Sequence, residues 1–194
     1  MRIVLASSSA IRRALLSQAG LDFAVVPPAI DEAPIEAAHA GEDFELALAL
    51  AEAKAAEVSA RQDDSWVIGA DSVVSVAGRR FAKPADRAEA ADHLRAFSGK
   101  PIRLVSSVAL ARGGTVEWNH IADAVLNVRP LSEDFIRSYL DAEWPQVAAC
   151  VGVFRMEGRG VTLFDEVEGD HFTILGLPLL PLLGALRARG LMPS

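Results

Sequence analysis

The stretch that decides the fold is LASSSAIRRALL, which runs from Leu5 to Leu16. The apolar run Ile3-Val4-Leu5 predicts a short buried strand, because strands covered on both faces are continuously hydrophobic. Three serines then make a turn. Serine is a preferred N-cap, so we expect a helix to begin near Ala10. A strand, a tight turn and a helix in this order are typical of an α/β protein.

The same turn has the chemistry of an anion site. The first N–H groups of a helix lack intrahelical acceptors, and the helix dipole adds partial positive charge there. Arg12 and Arg13 lie within the first turns of this helix, where cations are unfavourable for the helix itself. A bound phosphate would offset that cost, whereas an ordinary strand–turn–helix with two solvated arginines is the alternative.

Composition narrows the class of protein. The 194 residues are 51% hydrophobic, which suits a single domain with a sizeable core. The formal net charge of −7 argues against nucleic acid as a partner, because bulk attraction to phosphates needs positive charge. An anionic substrate would need a local positive site, and Arg2, Arg12 and Arg13 precede the first acid, Asp22.

Cysteine content and hydropathy favour a cytoplasmic location without a membrane partner. Cys150 is the single cysteine of the sequence, so no internal disulfide is expected. The N-terminal apolar run is too short for a signal peptide. The most apolar segment, Phe172–Leu183, is too short to span a bilayer and contains two prolines. We therefore expect it to form a buried strand end and a core helix.

Helical and strand patterns alternate along the chain. Helices are predicted over Ala10–Ala19 and Asp43–Ala60, after the N-caps Asp86 and Ser132, and from Pro178 onward. Strands are predicted over Leu21–Val26, Ser65–Ala70, Val73–Val76, Pro101–Arg112, Thr115–Val128, Cys150–Phe154 and Val161–Val167. We expect a loop through Gly41 and a hairpin turn at Gly113-Gly114. The order predicts an α/β fold, a mixed twisted sheet with helices on both faces.

Two charged side chains fall where apolar ones are expected. Asp71 interrupts a buried strand pattern, and a buried acid is costly unless it is paired or binds a metal. Lys54 lies on or beside the inner stripe of its helix and would need an anion there. Only three of the 19 basic residues are lysines, Lys54, Lys83 and Lys100, which favours specific uses for them. A structural aspartate and a snorkelling lysine are the alternatives.

Taken together, the polar candidates predict phosphate chemistry. Ser7, Arg12, Lys54 and Lys83 suit a polyphosphate. Glu32 and Asp71 suit a hard divalent metal that bridges to substrate phosphates. An aspartate beside such a metal can activate water for attack on phosphorus. The residues alone therefore indicate metal-assisted hydrolysis of a nucleotide-like phosphate.

Seven short motifs carry a family resemblance by their order and spacing. They begin at Leu5-Ala6-Ser7-x-Ser9-x-x-Arg12-Arg13-x-Leu15-Leu16, Asp31-Glu32, Glu52-x-Lys54-Ala55 and Gly69-Ala70-Asp71-Ser72-Val73-Val74. They continue with Lys83-Pro84, Leu94-x-x-Phe97-Ser98-Gly99 and Gly176-Leu177-Pro178-Leu179. With these motifs the chain resembles the Maf family of nucleoside triphosphate pyrophosphatases over essentially its whole length.

The resemblance implies an architecture and a reaction. One Maf-like domain would span residues 1–194, with two lobes around a central cleft, as in inosine-triphosphatase-like folds, and dimers are common in the family. The implied enzyme is a hydrolase of acid anhydrides. It cleaves between the α and β phosphates of a common or modified nucleoside triphosphate, with Mg²⁺ or, alternatively, Mn²⁺ or Co²⁺.

The resemblance also implies roles for the candidate residues. Asp71 would be the general base. Glu32 would bind the metal with Asp71 or assist the base, while phosphates would be held by Ser7, Arg12, Lys54 and Lys83.

Three positions bear on the choice of base. Ile11 and Ser72 match neither of the better-known branches of the family. The segment Val151–Gly158, with Glu157, is closer to the branch that prefers 7-methyl-GTP than to the glutamine-bearing branch that prefers dTTP and UTP. A carboxylate can accept hydrogen bonds from the N1–H and 2-amino groups of guanine, so Glu157 favours a purine. The dTTP/UTP preference is the alternative for the base, and a solvent-facing position at a glycine-rich turn is the alternative for Glu157.

Two other classes of protein fit parts of the pattern. Nucleotidyltransferases also open with a strand and a Leu-Ala-x-Gly-x-x-x-Arg-like loop, but this chain has serines where close phosphate approach favours glycine. A nucleotide-binding regulator of division without catalysis would not need Asp71, Glu32 and both lysines. Release of pyrophosphate from nucleoside triphosphate alone would distinguish the hydrolase from both.

Overall fold

A computed structural model describes residues 2–41, 43–62 and 64–193. Its strands are β1 (Arg2–Ala6), β2 (Ala24–Val25), β3 (Ser65–Val76), β4 (Arg79–Phe81), β5 (Pro101–Arg112), β6 (Thr115–Val128) and β7 (Phe164–Glu168). Its α-helices are α1 (Ala10–Gln18), α2 (Ala33–Ala38), α3 (Asp43–Ala60), α4 (Arg87–Phe97), α5 (Glu133–Glu143), α6 (His171–Ile174) and α7 (Leu179–Ala188). Short 3₁₀ helices cover Gln146–Ala149 and Arg159–Leu163.

The strands form one mixed sheet, as predicted. Among the described residues the order is β2-β1-β3-β5-β6-β7, with β4 paired to β3. Strand β1 runs parallel to both β2 and β3, and Val4 lies opposite Ala24 and Val67. Strands β4 and β7 are antiparallel to β3 and β6, respectively. The α/β class with a mixed sheet is therefore confirmed.

The described residues group into two compact units. The first takes in Met1–Ser72, Val105–Ala122 and His171–Ser194, and the second takes in Val73–Leu104 and Asp123–Asp170. The single domain with two lobes stays a prediction, and we describe each unit by itself.

The core of the first unit follows from the alternation of side chains along β1. Ile3 and Leu5 join a cluster with leucines of α1 and α7, whereas Val4 and Ala6 join a separate cluster with Val58 of α3. Successive strand residues point to opposite faces of a sheet. A run of uninterrupted apolar residues in β1 therefore requires helices on both sides of it.

The second unit contains the helices α4 and α5, whose ends are fixed by side chains. Asp86 accepts a hydrogen bond from Glu89 N at 2.9 Å and caps α4. Ser132 accepts one from Phe135 N at 3.2 Å and caps α5. Both caps are as predicted, because each side-chain oxygen satisfies an N–H group of the first turn.

Several predicted boundaries are wrong near the N-terminal half. The predicted strand Leu21–Val26 is reduced to Ala24–Val25, and Pro27-Pro28, which lack N–H donors, follow it. The predicted loop through Gly41 contains α2, which begins with proline in its first turn. Strand β3 is also continuous through Asp71-Ser72, where both side chains are only partly buried.

Other predictions fail near the C-terminus. Cys150–Phe154 is not a strand, since Val153 has a φ of 54° and ends any extended run. The predicted strand Val161–Val167 begins only at Phe164, after a 3₁₀ helix. Segment 172–183 holds α6 and the start of α7 rather than a strand end. No helix in the described ranges is long and apolar enough to cross a membrane.

Candidate active site

The turn between β1 and α1 uses two of its serines as acceptors. Ser9 caps α1, and its Oγ accepts a hydrogen bond from Arg12 N at 3.4 Å. The Oγ of buried Ser7 accepts from Ser9 N at 3.2 Å and from Arg12 Nη1 at 3.5 Å. No described residue takes the hydroxyl hydrogen of Ser7, so it is available to an anion. Ile11, the predicted specificity position, is half-buried in the same helical turn.

Arg12 joins three segments that are far apart in sequence. Its Nε donates to Gly176 O at 2.8 Å, and its Nη1 donates to Ala70 O at 2.8 Å and to Ser7 Oγ at 3.5 Å. Its Nη2 donates to Ser72 Oγ at 3.0 Å. A guanidinium has five N–H groups, so protein acceptors use four of them. The sequence analysis assigned Arg12 to phosphate, and one N–H on Nη2 is left for that role.

A directed chain of hydroxyls continues from Arg12. The Oγ atoms of Ser72 and Ser106 are 2.9 Å apart, and Ser106 Oγ donates to Thr173 O at 2.9 Å. A hydroxyl has one hydrogen. Because Ser106 donates its one hydrogen to Thr173 O, Ser72 is the donor between the two serines. Ser72 accepts from Arg12 and donates to Ser106, so it offers a ligand only a lone pair.

The ammonium of Lys54 bridges two carboxylates. Its Nζ lies 2.5 Å from Asp71 Oδ1 and 2.9 Å from Glu32 Oε1. The exposed fractions of these side chains are 10% for Lys54, 15% for Asp71 and 43% for Glu32. Lys54 and Asp71 are therefore nearly buried, whereas Glu32 is accessible to solvent. The structure brings together three residues that the sequence analysis assigned to one site.

Backbone packing positions Lys54 against Asp71. A Cβ built on Gly69 would lie 2.3 Å from Ala51 O and 2.6 Å from Ala55 N. Only glycine permits such a close approach of β3 to α3. Gly69 precedes Asp71 by two residues in β3, and Lys54 lies between the two alanines of α3. This contact therefore fixes the spacing of strand and helix where the ion pair forms.

The side chain of Glu32 reaches Lys54, while that of its neighbour Asp31 bonds to the start of α2. Asp31 Oδ1 accepts a hydrogen bond from Ala33 N at 3.2 Å, and Glu32 makes no side-chain cap on α2. The two consecutive acids thus have different tasks. Asp31 holds the start of α2, and Glu32 completes the bridge to Lys54.

The charges of this site balance. Burial lowers the pKa of Arg12 below its ordinary value, and the negative charges of Asp71 and Glu32 oppose that shift. Arg12 is therefore within electrostatic reach of both acids that Lys54 bridges. Two cations and two carboxylates leave no net charge. A bound triphosphate would add negative charge that this set does not neutralise.

The donor set fits a divalent metal that also binds substrate. Among the described residues no cluster of three or more His, Cys, Asp or Glu side chains could hold a metal ion. Asp71 and Glu32 supply two hard oxygen ligands that already approach one cationic atom. Mg²⁺ is commonly held by one or two carboxylates, with water and substrate phosphates completing its coordination. Asp71 and Glu32 would hold such an ion.

Two predicted residues lie in the second unit, Lys83 and Glu157, both exposed. The charges of both influence the pKa of the Cys150 thiol, which is raised to about 11. Burial is the main cause, and Glu157 adds to it, while Arg155 and Lys83 oppose it. Lys83 and Glu157 therefore share an electrostatic neighbourhood within this unit.

A buried acid fixes the segment that carries Glu157. Glu143, 4% exposed, accepts hydrogen bonds from Arg155 Nε at 3.0 Å and Nη2 at 2.9 Å. Its other oxygen accepts from Arg159 N at 3.1 Å. Tyr139 donates to the carbonyl of Val153, which has a left-handed backbone conformation. These contacts hold the chain on both sides of Glu157.

The sequence analysis missed Gly69, Ser106 and Glu143 as functional candidates. A pair of serines within the apolar strand β5 is a signal that could have identified Ser106. Gly69 was quoted in a motif, but its contact with α3 is not visible in the sequence. Glu143 looks like an ordinary acid at the end of a helix.

Comparison with known proteins agrees with the motifs. The family model described as "Maf-like protein" matches residues 2–189. A protein of Rhizobium etli named "7-methyl-GTP pyrophosphatase" is 50% identical over 193 residues, which cover 97% of this chain and 96% of that protein. A Nitrobacter winogradskyi protein named "Nucleoside triphosphate pyrophosphatase" is 47% identical over 194 residues, with coverage of 98% and 95%.

A solved structure resembles this one over a smaller part. It is titled "Structure of a HAM1 protein from Coxiella burnetii", with a TM-score of 0.45 and 19% identity, and it covers 66% of this chain and 73% of that chain. The family match, in contrast, spans nearly the whole sequence. The chain belongs to the Maf-like protein family.

Proposed function

We propose that this protein hydrolyses a nucleoside triphosphate between its α and β phosphates, releasing a nucleoside monophosphate and pyrophosphate, with a 7-methyl-GTP-type purine as the preferred substrate. The observation that carries the proposal is the cluster of Arg12, Lys54, Asp71 and Glu32 beside the start of α1. The names and the identity of the full-length relatives support the same reaction.

The triphosphate would be held by groups with hydrogen to donate. Ser7 has its hydroxyl hydrogen available, and Arg12 has one N–H left on Nη2. The amides of Ala10 and Ile11 belong to the first turn of α1, where N–H groups have no intrahelical acceptor. Phosphate oxygens are suitable acceptors for such a helix start. We assign Lys54 and Lys83 to the phosphates as well.

Asp71 would act as the general base. Its Oδ1 accepts from Lys54, and among the described residues no donor takes its second oxygen. That oxygen is available to take a proton from a water molecule aligned with the α phosphorus. A divalent cation on Asp71 and Glu32 would neutralise charge on the phosphates and on the leaving pyrophosphate.

Glu157 would recognise the base. Its carboxylate can accept hydrogen bonds from the N1–H and 2-amino groups of guanine. Methylation at N7 gives guanine a positive charge, which a carboxylate also attracts. Glu143 and Arg155 hold the segment around Glu157, which supports a fixed position for this acid. Ile11 and Ser72 are the other proposed specificity positions.

One experiment tests the reaction. Purified protein with Mg²⁺ is incubated with 7-methyl-GTP, GTP, dTTP or UTP in ¹⁸O-labelled water, and the products are analysed by mass spectrometry. We expect pyrophosphate and monophosphate, with the label in the monophosphate, because water attacks the α phosphorus. We expect turnover to be fastest with 7-methyl-GTP. Asp71→Asn should lower turnover at least about a hundredfold, whereas the exposed acid variant Asp22→Asn should not.

The outcome separates the alternatives. Label in pyrophosphate, or release of inorganic phosphate and a diphosphate, would contradict cleavage at the α phosphorus. A nucleotidyltransferase would release pyrophosphate only when an acceptor with a phosphate is added. A regulator without catalysis would bind nucleotide and leave it intact. Faster turnover of dTTP or UTP would overturn the assignment of the base and leave the reaction standing.

A further inference from the structure

The bridge made by Lys54 occupies the space that a metal would need. Its Nζ lies within 2.9 Å of one oxygen of Glu32 and 2.5 Å of one oxygen of Asp71. A divalent cation bound by the same two oxygens would lie about 2.0–2.6 Å from each. An ammonium and a metal ion cannot occupy that position together. Binding of the metal between these two oxygens therefore requires Lys54 to move.

The bridge also explains how two carboxylates can lie close together in the absence of a ligand. Lys54 and Asp71 are nearly buried, and a buried charge is strongly unfavourable without a partner. Two carboxylates facing one another would repel if the ammonium were absent. The ammonium supplies the positive charge that the acids need, at the point where both converge.

Substrate offers Lys54 another partner at the same site. Phosphate oxygens bound at the start of α1 would carry more negative charge than one carboxylate. The stem of Lys54 has four carbons joined by rotatable bonds, so its ammonium can change partner while the lower part of the stem stays buried beside α3. Movement of the ammonium toward phosphate would open the space between the acids.

We propose that Lys54 is a tethered counter-ion, which holds the metal position between Asp71 and Glu32 in the nucleotide-free protein and yields it when nucleotide binds. The proposal rests on the proposed function for the identity of the ligand. It has one direct consequence, which is that Lys54 weakens metal binding to the protein without nucleotide. Metal and nucleotide would then bind together rather than in sequence.

Metal binding without nucleotide tests this consequence. Free Mn²⁺ is measured by electron paramagnetic resonance during titration of wild type, Lys54→Met and Lys54→Gln. Both variants have an unbranched stem close to the length of lysine and remove its charge. We expect each to bind Mn²⁺ at least tenfold more tightly than wild type. Adding Asp71→Asn should abolish the gain. Lys100→Met is the matched control, since Lys100 is exposed and donates to Ala96 O.

Equal or weaker Mn²⁺ binding by the folded Lys54 variants would overturn the proposal, as would the same gain in Lys100→Met. Thermal unfolding and circular dichroism check that the variants fold. If the variants do not fold, a measurement on the wild-type protein tests the proposal. The side-chain ammonium signals of ¹⁵N-lysine-labelled protein are recorded by NMR, which is practical with three lysines. The Lys54 signal should shift when Mg²⁺ and a non-hydrolysable triphosphate analogue are added, and an unchanged signal at saturation would contradict the exchange.

Failure of this inference is distinguishable from failure of the proposed function. The Mn²⁺ titration involves neither nucleotide nor turnover. Pyrophosphate release by wild type without a gain in Mn²⁺ affinity would keep the function and reject the counter-ion role. A gain in Mn²⁺ affinity without pyrophosphate release would keep the counter-ion role and reject the reaction.

Discussion

Replacing Gly69 by alanine should damage both stability and the site. The added Cβ would lie 2.3 Å from Ala51 O and 2.6 Å from Ala55 N, both backbone atoms. An ordinary contact needs about 3.4 Å, so β3 and α3 would have to separate locally by about 1 Å. Overpacking of this kind costs about 1–3 kcal/mol, and the rigid backbone neighbours place the cost near 3.

The same displacement should weaken the ion pair. The Nζ of Lys54 lies 2.5 Å from Asp71, and an added 1 Å, roughly, would take it to the limit of a hydrogen bond. We therefore expect Gly69→Ala to lower pyrophosphate release along with the free energy of unfolding. Urea unfolding at equilibrium measures the stability, provided that the m value is unchanged.

The chain offers a matched control for this substitution. Gly184 lies within α7, and a Cβ added there would meet nothing within 4 Å. Gly184→Ala should raise stability by about 0.5–1 kcal/mol, because alanine favours the helix. Opposite signs for the same chemical change would support packing as the cause. A Gly69→Ala protein within about 0.5 kcal/mol of wild type and fully active would refute the reasoning.

Three further predictions concern side chains that are buried wholly or in part. Ser106→Ala should lower the free energy of unfolding by about 1–3 kcal/mol, because Ser72 loses its acceptor. It should also lower turnover, because Ser72 then holds Arg12 less firmly. Ser107→Ala, which removes the bond to Ala47 O instead, should leave turnover unchanged in the same assay. Glu143→Ala should cost at least about 2–3 kcal/mol by urea unfolding, because it removes three hydrogen bonds of a buried carboxylate. Glu133→Ala, which removes an exposed ion pair, should cost much less in the same measurement, and equal losses would contradict the role of burial. Alkylation of Cys150 should rise with a midpoint near pH 11 rather than at the ordinary thiol value of 9.0. Since the folded pKa is raised, the contribution of this thiol to stability is present below pH 9.0 and is lost as pH rises toward 11; fast alkylation of the folded protein at pH 8 would contradict the prediction.

The local elements were largely predictable from the sequence. Helix α3 and strands β5 and β6 have the predicted bounds, because long periodic or apolar runs give clear signals. Boundaries failed where short segments depend on their surroundings. The segment after Cys150 is an example, since Val153 adopts a left-handed conformation and its carbonyl accepts a hydrogen bond from the hydroxyl of Tyr139. Nothing local in the sequence requires that conformation of a valine.

The sequence indicated candidate residues but not the partners of their side chains. The anomalies of an acid in an apolar strand and a lysine on an inner helical stripe pointed to Asp71 and Lys54. That the two pair with one another depends on how closely α3 approaches β3. Arg12 was assigned to phosphate from its position in α1, but four of its N–H groups bond to the protein.

The sequence by itself determined the elements and the types of charge available, because helix caps, periodicity and turn residues act over a few neighbouring positions. Tertiary structure alone decided which charges meet. The bond from Arg12 to Gly176 joins residues 164 positions apart, and the bond from Ser106 to Thr173 joins residues 67 apart. Partners at such separations are selected by the packing of strand on helix, and the contact of Gly69 with α3 sets the distance at which the ammonium of Lys54 meets the carboxylate of Asp71.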